Sequence, residues 1–170
     1  MFFSKKDEKI LTQQTEAILV PPSNGRTERI FQGNGFTINQ PSDWQDKTIY
    51  TLVGPVGDGI QHNIIVMIDE NVPFDSVSQY ADTQIIALES ELKGCAILKR
   101  EDIQLSNGYP AYKILLRWFP TDDFRVYQEQ IYVLVDRTAY KITTTFTKIT
   151  RKTLGPEIDR IVMSFQPNKL

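Results

Sequence analysis

The chain holds one histidine and one cysteine, His62 and Cys95. A Ser-His-Asp or Cys-His arrangement needs an imidazole as its base, so any such site must be built on His62. His62 stands where the glycine-dense stretch 54–61 enters an apolar segment. It reads as a partly exposed imidazole at a loop edge. Cys95 directly follows Gly94 and reads as a small apolar filler. A zinc centre draws its ligands from spaced Cys, His and carboxylate groups, and no spaced Cys/His pair exists. The calcium-loop pattern is also absent.

Carboxylates occur as Asp69-Glu70, Glu89 with Glu91, Glu101-Asp102 and Asp122-Asp123. Each falls at an expected element end or on a helix's solvent side, which reads as hydrated charge. A glycosidase-like acid/base pair is defined by its separation in space, which a sequence does not display. The run Gly54-Pro55-Val56-Gly57-Asp58-Gly59 has the glycines of a phosphate loop. It lacks the Gly-Lys-Ser/Thr ending, and a strand follows it, so it reads as a hairpin loop. Lys148, Arg151 and Lys152 form a basic cluster that reads as a hydrated turn. The expectation is a protein that is not an enzyme, with no catalytic residues, no metal and no cofactor.

The frame for these residues is ordinary in composition. The chain has 170 residues, 41% of them apolar and 24% charged. That length suits one domain with a tail and can bury roughly 70% of its extended surface without a metal or disulfide staple. Nineteen Lys and Arg against twenty-one Asp and Glu give a net charge of −2. A nucleic-acid-binding domain usually shows a basic stripe, so no nucleic acid is expected as partner. A single cysteine excludes an intrachain disulfide. The start, Met1-Phe2-Phe3-Ser4-Lys5-Lys6, offers two phenylalanines before charge intervenes. A secretory signal needs about 7–15 apolar residues, and a membrane span about 20. The expectation is a soluble, cytoplasmic chain with no direct membrane insertion.

Residues 1–28 are polar and end near Pro21-Pro22-Ser23-Asn24-Gly25. They read as an N-terminal extension with a Pro/Gly linker. The remainder, 29–167, reads as a single domain. Short strands are expected at 29–32 and 36–38, then at 47–53 and 63–68. Phe74, Val77, Ala81, Ile85, Leu88 and Leu92 recur at steps of three or four, the stripe of an amphipathic helix over 74–93. Strands follow at 96–104, 111–118, 126–135 and 138–147, with a last helix at about 153–165. The helices are too few to cross over between every strand pair. The expected fold class is therefore α+β, a twisted antiparallel sheet with helices packed mainly on one face.

Alternation along the strands assigns faces. Tyr112, Ile114, Leu116 and Trp118 are grouped with Ile131, Val133, Tyr140, Ile142 and Phe146 as the helix-covered core. Trp44 and Trp118 are both expected to be buried. The opposite face is assigned Tyr50, Leu52, Ile65, Met67, Leu115, Tyr132 and Leu134, interleaved with Lys113, Arg117, Gln128, Gln130 and Lys141. These seven apolar residues are the candidate partner-binding strip, because a contiguous exposed apolar patch marks a partner or a ligand. Burial of the patch within the fold is the competing reading.

Phe36-Thr37-Ile38-Asn39-Gln40-Pro41-Ser42-Asp43-Trp44-Gln45-Asp46-Lys47-Thr48 resembles the opening of the DcrB-related family, which has the Mog/PsbP-like α+β fold. The match continues in the helix Val77–Ile85 and on through Leu92, and in Leu105-Ser106-Asn107-Gly108-Tyr109-Pro110-Ala111-Tyr112, similar to that family's Gly-x-Pro-Ala hairpin. Gln128–Val135 and Ile158–Phe165 resemble its central strand and last helix. The similarity is strongest to the cytoplasmic Eag-type chaperones of type VI secretion effectors. It implies a non-enzymatic homodimer that shields an apolar helix or effector segment of another protein. A small-molecule or lipid-binding domain is the alternative reading.

Overall fold

A computed structural model describes residues 25–168. Residues 1–24, most of the expected extension, lie outside the described residues. The described residues fall into two compact units, one up to Asp46 and one from Lys47 onward.

In the first unit, β1 (Glu28–Gly33) pairs antiparallel with β2 (Phe36–Pro41). Gly35 takes a φ of +86° in the turn, a conformation that costs glycine nothing. The expectation of a buried Trp44 is corrected: the side chain is 59% exposed. Its backbone is what the unit uses, since the carbonyl accepts from Gln40 Nε2 at 3.0 Å.

The second unit contains β3 (Ile49–Gly57), β4 (Ile60–Asp69), α1 (Val77–Glu91), β5 (Ala96–Gln104), β6 (Pro110–Thr121), β7 (Phe124–Val135), β8 (Thr138–Phe146), α2 (Thr150–Thr153) and α3 (Gly155–Met163). The glycine-dense stretch read as a loop is mostly strand. Only Asp58 and Gly59 turn, both at positive φ, which is the geometry of a two-residue hairpin turn. A bulge between Val53 and Val56 absorbs Gly54-Pro55.

The six strands form one antiparallel sheet in the order β3-β4-β8-β7-β6-β5. β5 to β8 are the expected meander. Ser76 caps α1, its hydroxyl accepting from Gln79 N at 3.3 Å. The sheet has two cores, one on each face. Tyr80, Ala81 and Ile85 of α1 pack on Ile114, Leu116, Tyr132 and Ala139. Val162 of α3 packs on Ile64, Ile131, Val133 and Ile142. The α+β antiparallel fold is as expected, but the placement of helices mainly on one face is corrected: α1 and α3 cover opposite faces.

That correction follows from register. Ile114 pairs with Gln130 and Ile131 with Lys113. Directly opposed residues share a face, so the Ile114 set and the Ile131 set cannot be one core. Trp118 is half-buried in the α1-side core, as part of the Ile114 set.

Candidate functional site

The register also divides the seven-residue strip. Tyr50 pairs with Val66 and Leu52 with Ile64, so both lie on the α3 side. Leu115 pairs with Glu129, which pairs with Thr144, and so lies there too. Ile65 pairs with Thr143 and Met67 with Lys141, which places them on the α1 side with Tyr132 and Leu134. A single strip on the face away from α1 is therefore corrected. Tyr132 is fully buried beneath α1, its ring edge-on to Tyr80 at 5.8 Å between centroids. Leu134 packs in the same core. Alternation within one strand cannot say which of its faces meets which face of the next.

The structure instead brings together a different surface. α1 packs over β5, β6 and β7; Ala139 and Thr143 of β8 are still buried on that side, and the flank becomes more exposed through β4 to β3. On this flank Ile49 and Val53 are exposed, at 54% and 68%. Ile65 and Met67 are half-buried beside them. Next to that apolar half runs a polar row. Tyr132 Oη donates to Gln130 Oε1 at 2.5 Å, Gln130 Nε2 donates to Gln128 Oε1 at 3.3 Å, and Gln128 Nε2 donates to Thr145 Oγ1 at 3.2 Å. Burial pushes the Tyr132 phenol pKa up, so it stays a donor. Asn63, on the same side of the neighbouring strand, ends the row with its Oδ1 buried and unpartnered. At the α1 border Lys141 Nζ donates to Gln84 Oε1 at 3.3 Å.

This surface presents apolar groups on one half and the half-buried Gln128 amide and Thr145 hydroxyl on the other. It can seat an amphipathic segment. Of the expected strip only Ile65 and Met67 belong to it. Ile49, Val53, Asn63 and Thr145 are additions that the sequence reading does not contain. The Ile49-Tyr50-Thr51-Leu52-Val53 alternation carries the signal for the first two. It offers Leu52 equally, and Leu52 points to the other side.

On the α3 side an ion cluster takes the place of a carboxylate pair. Lys113 Nζ lies 2.6 Å from Asp159 Oδ1 and 2.9 Å from Glu129 Oε2, and Arg151 Nε lies 3.2 Å from Glu129 Oε1. Burial acts to lower the Lys113 pKa, but the two carboxylates outweigh it and hold it raised. Arg151, read as hydrated, is thus partly committed.

His62 is not a loop-edge imidazole; it is 1% exposed, within β4. Its Nδ1 lies 3.2 Å from the Thr145 carbonyl, which can only accept, so Nδ1 carries the proton. Nε2 is buried without a partner. A Cβ placed on Gly57 would lie 3.3 Å from it, a tight contact that the ring would relieve by shifting a few tenths of an ångström. Among the described residues no group of three His, Cys, Asp or Glu could hold a metal. Among them, too, no helix is long and apolar enough to cross a membrane.

The DcrB family model matches residues 36–164. The fold is similar to that of PA94 from Pseudomonas aeruginosa, a protein of unknown function, with a TM-score of 0.67 and 18% identity over 84% of this chain and 99% of that one. It is also similar to cyanobacterial PsbP (CyanoP) from Synechocystis sp. PCC 6803, with a TM-score of 0.50 and 11% identity over 88% of this chain and 99% of that one. At these identities the likeness concerns the PsbP-like α+β fold alone. No curated protein matches the chain.

Proposed function

This chain belongs to the DcrB family, and on that premise we propose that it is a non-catalytic binding protein that shields an apolar segment of a partner protein. The observation that carries the reading is the open flank of the α1-side face, where Ile49 and Val53 are exposed beside Ile65 and Met67. Burying apolar surface is worth about 25 cal/mol per Å², so an exposed apolar helix gains by lying there. The half-buried Gln128 and Thr145 then face the polar side of that segment. The enclosed His62 Nε2 supports a role without catalysis, since no substrate atom reaches it.

The finer reading is a cytoplasmic chaperone for the apolar helix of a type VI secretion effector. It extends the same surface and rests on the resemblance to Eag-type chaperones. A second reading, a small-molecule site, has its own observation: an open recess of about 450 Å³ lined by Tyr109, Val135, Asp136, Thr138 and Tyr140. That is ligand-sized.

A fluorescein-labelled, helix-forming peptide of about 20 residues with one Leu/Ala face separates these readings. Fluorescence anisotropy should show binding to the wild type. Ile65→Asp and Met67→Asp should each weaken it about tenfold or more, while Ile161→Asp on α3 leaves it intact. Equal binding by all three variants would sink the proposal.

A further inference from the structure

One end of the sheet, on its α3 side, holds the recess of about 450 Å³ lined by Tyr109, Val135, Asp136, Thr138 and Tyr140 and closed by Pro167. Register explains why these residues meet. Val135 pairs with Thr138 and Val133 with Tyr140, and all four lie on the same face. The β6-β7 ladder reaches Ala111 with Val133, and continuing that register brings Tyr109 opposite Val135. The β4-β8 ladder reaches Asp69 with Ala139, and the next step brings Glu70 opposite Thr138. The end of this face is thus a row of Glu70, Thr138, Val135 and Tyr109, with Tyr140 one step inside it. Phe165, just beyond α3, packs against the Tyr140 ring at 5.3 Å between centroids.

The charge around the recess has one sign. Asp136 lines it and Glu70 stands at the end of its row, while among the described residues no lysine or arginine lines it. Burial, and after it the Glu70 carboxylate and Tyr109, push the Tyr140 phenol up, so the ring stays neutral. Arg137, beside Asp136 in the hairpin turn, is held elsewhere. Its Nε donates to the Val72 carbonyl at 3.4 Å, and Val72 is buried in the α1-side core.

We propose that this recess binds a small organic ammonium ion, its positive head set against the Asp136 and Glu70 carboxylates and the Tyr109 and Tyr140 rings. This names the ligand class for the small-molecule reading of the recess and rests on that reading. An anion would meet two carboxylates and no cation. An ammonium ion gains from both kinds of wall, because aromatic faces attract cations and carboxylates pair with them. Its alkyl groups can lie on Val135 and the rings. Ligand cavities run from about 300 to 1,000 Å³, so the recess suits a compact ligand. Asp136 and Glu70 are exposed, so water and salt screen them, and the affinity should be roughly millimolar.

The probe is choline, with neohexyl alcohol as its uncharged isostere, each titrated into the full chain with isotope-labelled tyrosine rings and followed by NMR. Choline should shift the Tyr109 and Tyr140 signals and saturate below about 20 mM, with the alcohol about tenfold weaker or more. The double variant Asp136→Asn, Glu70→Gln should weaken choline about fivefold or more and leave the alcohol unchanged. Asparagine accepts the φ of 47° found at position 136, so the turn is kept, and circular dichroism should match the wild type. Equal binding of the two probes would overturn the ammonium assignment and leave the recess as a small-molecule site. Unchanged choline binding in the double variant would also overturn it. No saturable shift with either probe would overturn both the assignment and the small-molecule reading. The peptide-binding flank lies on the α1 side, so the double variant should bind the helical peptide as the wild type does.

Discussion

Tyr80 Oη donates a 2.7 Å hydrogen bond to Asp69 Oδ2, tying the first turn of α1 to the last residue of β4. Lys47 Nζ holds the other oxygen of the same carboxylate at 2.7 Å. The Tyr80 ring meanwhile packs edge-on against Tyr132, so one side chain fixes α1 to both the core and the border of the open flank. Burial and the neighbouring Asp69 carboxylate push the Tyr80 phenol up, which keeps it a donor at all ordinary pH.

Tyr80→Phe should keep the ring packing and lose only the donor. A hydrogen bond to a charged group is worth about 1.5–3 kcal/mol, so the melting temperature should fall by about 5–10 °C. Differential scanning calorimetry reads this directly. An unchanged melting temperature would mean that water replaces the hydroxyl at no cost.

The same carboxylate predicts a pH dependence. Burial acts to raise the Asp69 pKa, but the bonds from Lys47 and Tyr80 outweigh it and hold it below the ordinary carboxylate value. A depressed folded pKa contributes stability that is complete above the unfolded value of about 4. That stability is lost as pH falls through the folded value. Melting temperatures from pH 7 to about pH 2.5 should therefore fall more steeply for the wild type than for Asp69→Asn, with the divergence confined below about pH 4.

Lys113 should behave as the keystone of the α3-side ion cluster. Its side chain and that of Glu129 are each only 17% exposed. Lys113→Met leaves Glu129 with Arg151 alone and Asp159 without its lysine, and should cost about 2–3 kcal/mol in urea unfolding. Adding Glu129→Gln should recover part of that loss, because the half-buried charge is then removed with its partner. Full additivity of the two substitutions would contradict the coupling.

How far the sequence reading reaches depends on how local each signal is. The stripe from Phe74 to Leu92 specifies a helix, and α1 runs from Val77 to Glu91. The four strands of the meander lie where alternation and turn residues place them, because those preferences act within a few residues. Asp58-Gly59 is a legible two-residue turn hidden by the glycines around it.

The faces are not legible, and the candidate site is lost with them. Alternation sorts Ile114 from Leu115 within β6, but whether Ile114 shares a face with Ile131 or with Gln130 depends on the turn from Trp118 to Phe124. A shift of one residue there exchanges the two cores. Likewise nothing near His62 in sequence shows that the chain returns at Thr145, Phe146 and Thr150 to enclose it. Local preference determined the elements, the antiparallel α+β class and the scarcity of catalytic groups. Long-range register decided which residues lie under α1 and which under α3. It also decided which flank stays open, because burial depends on what arrives from far along the chain.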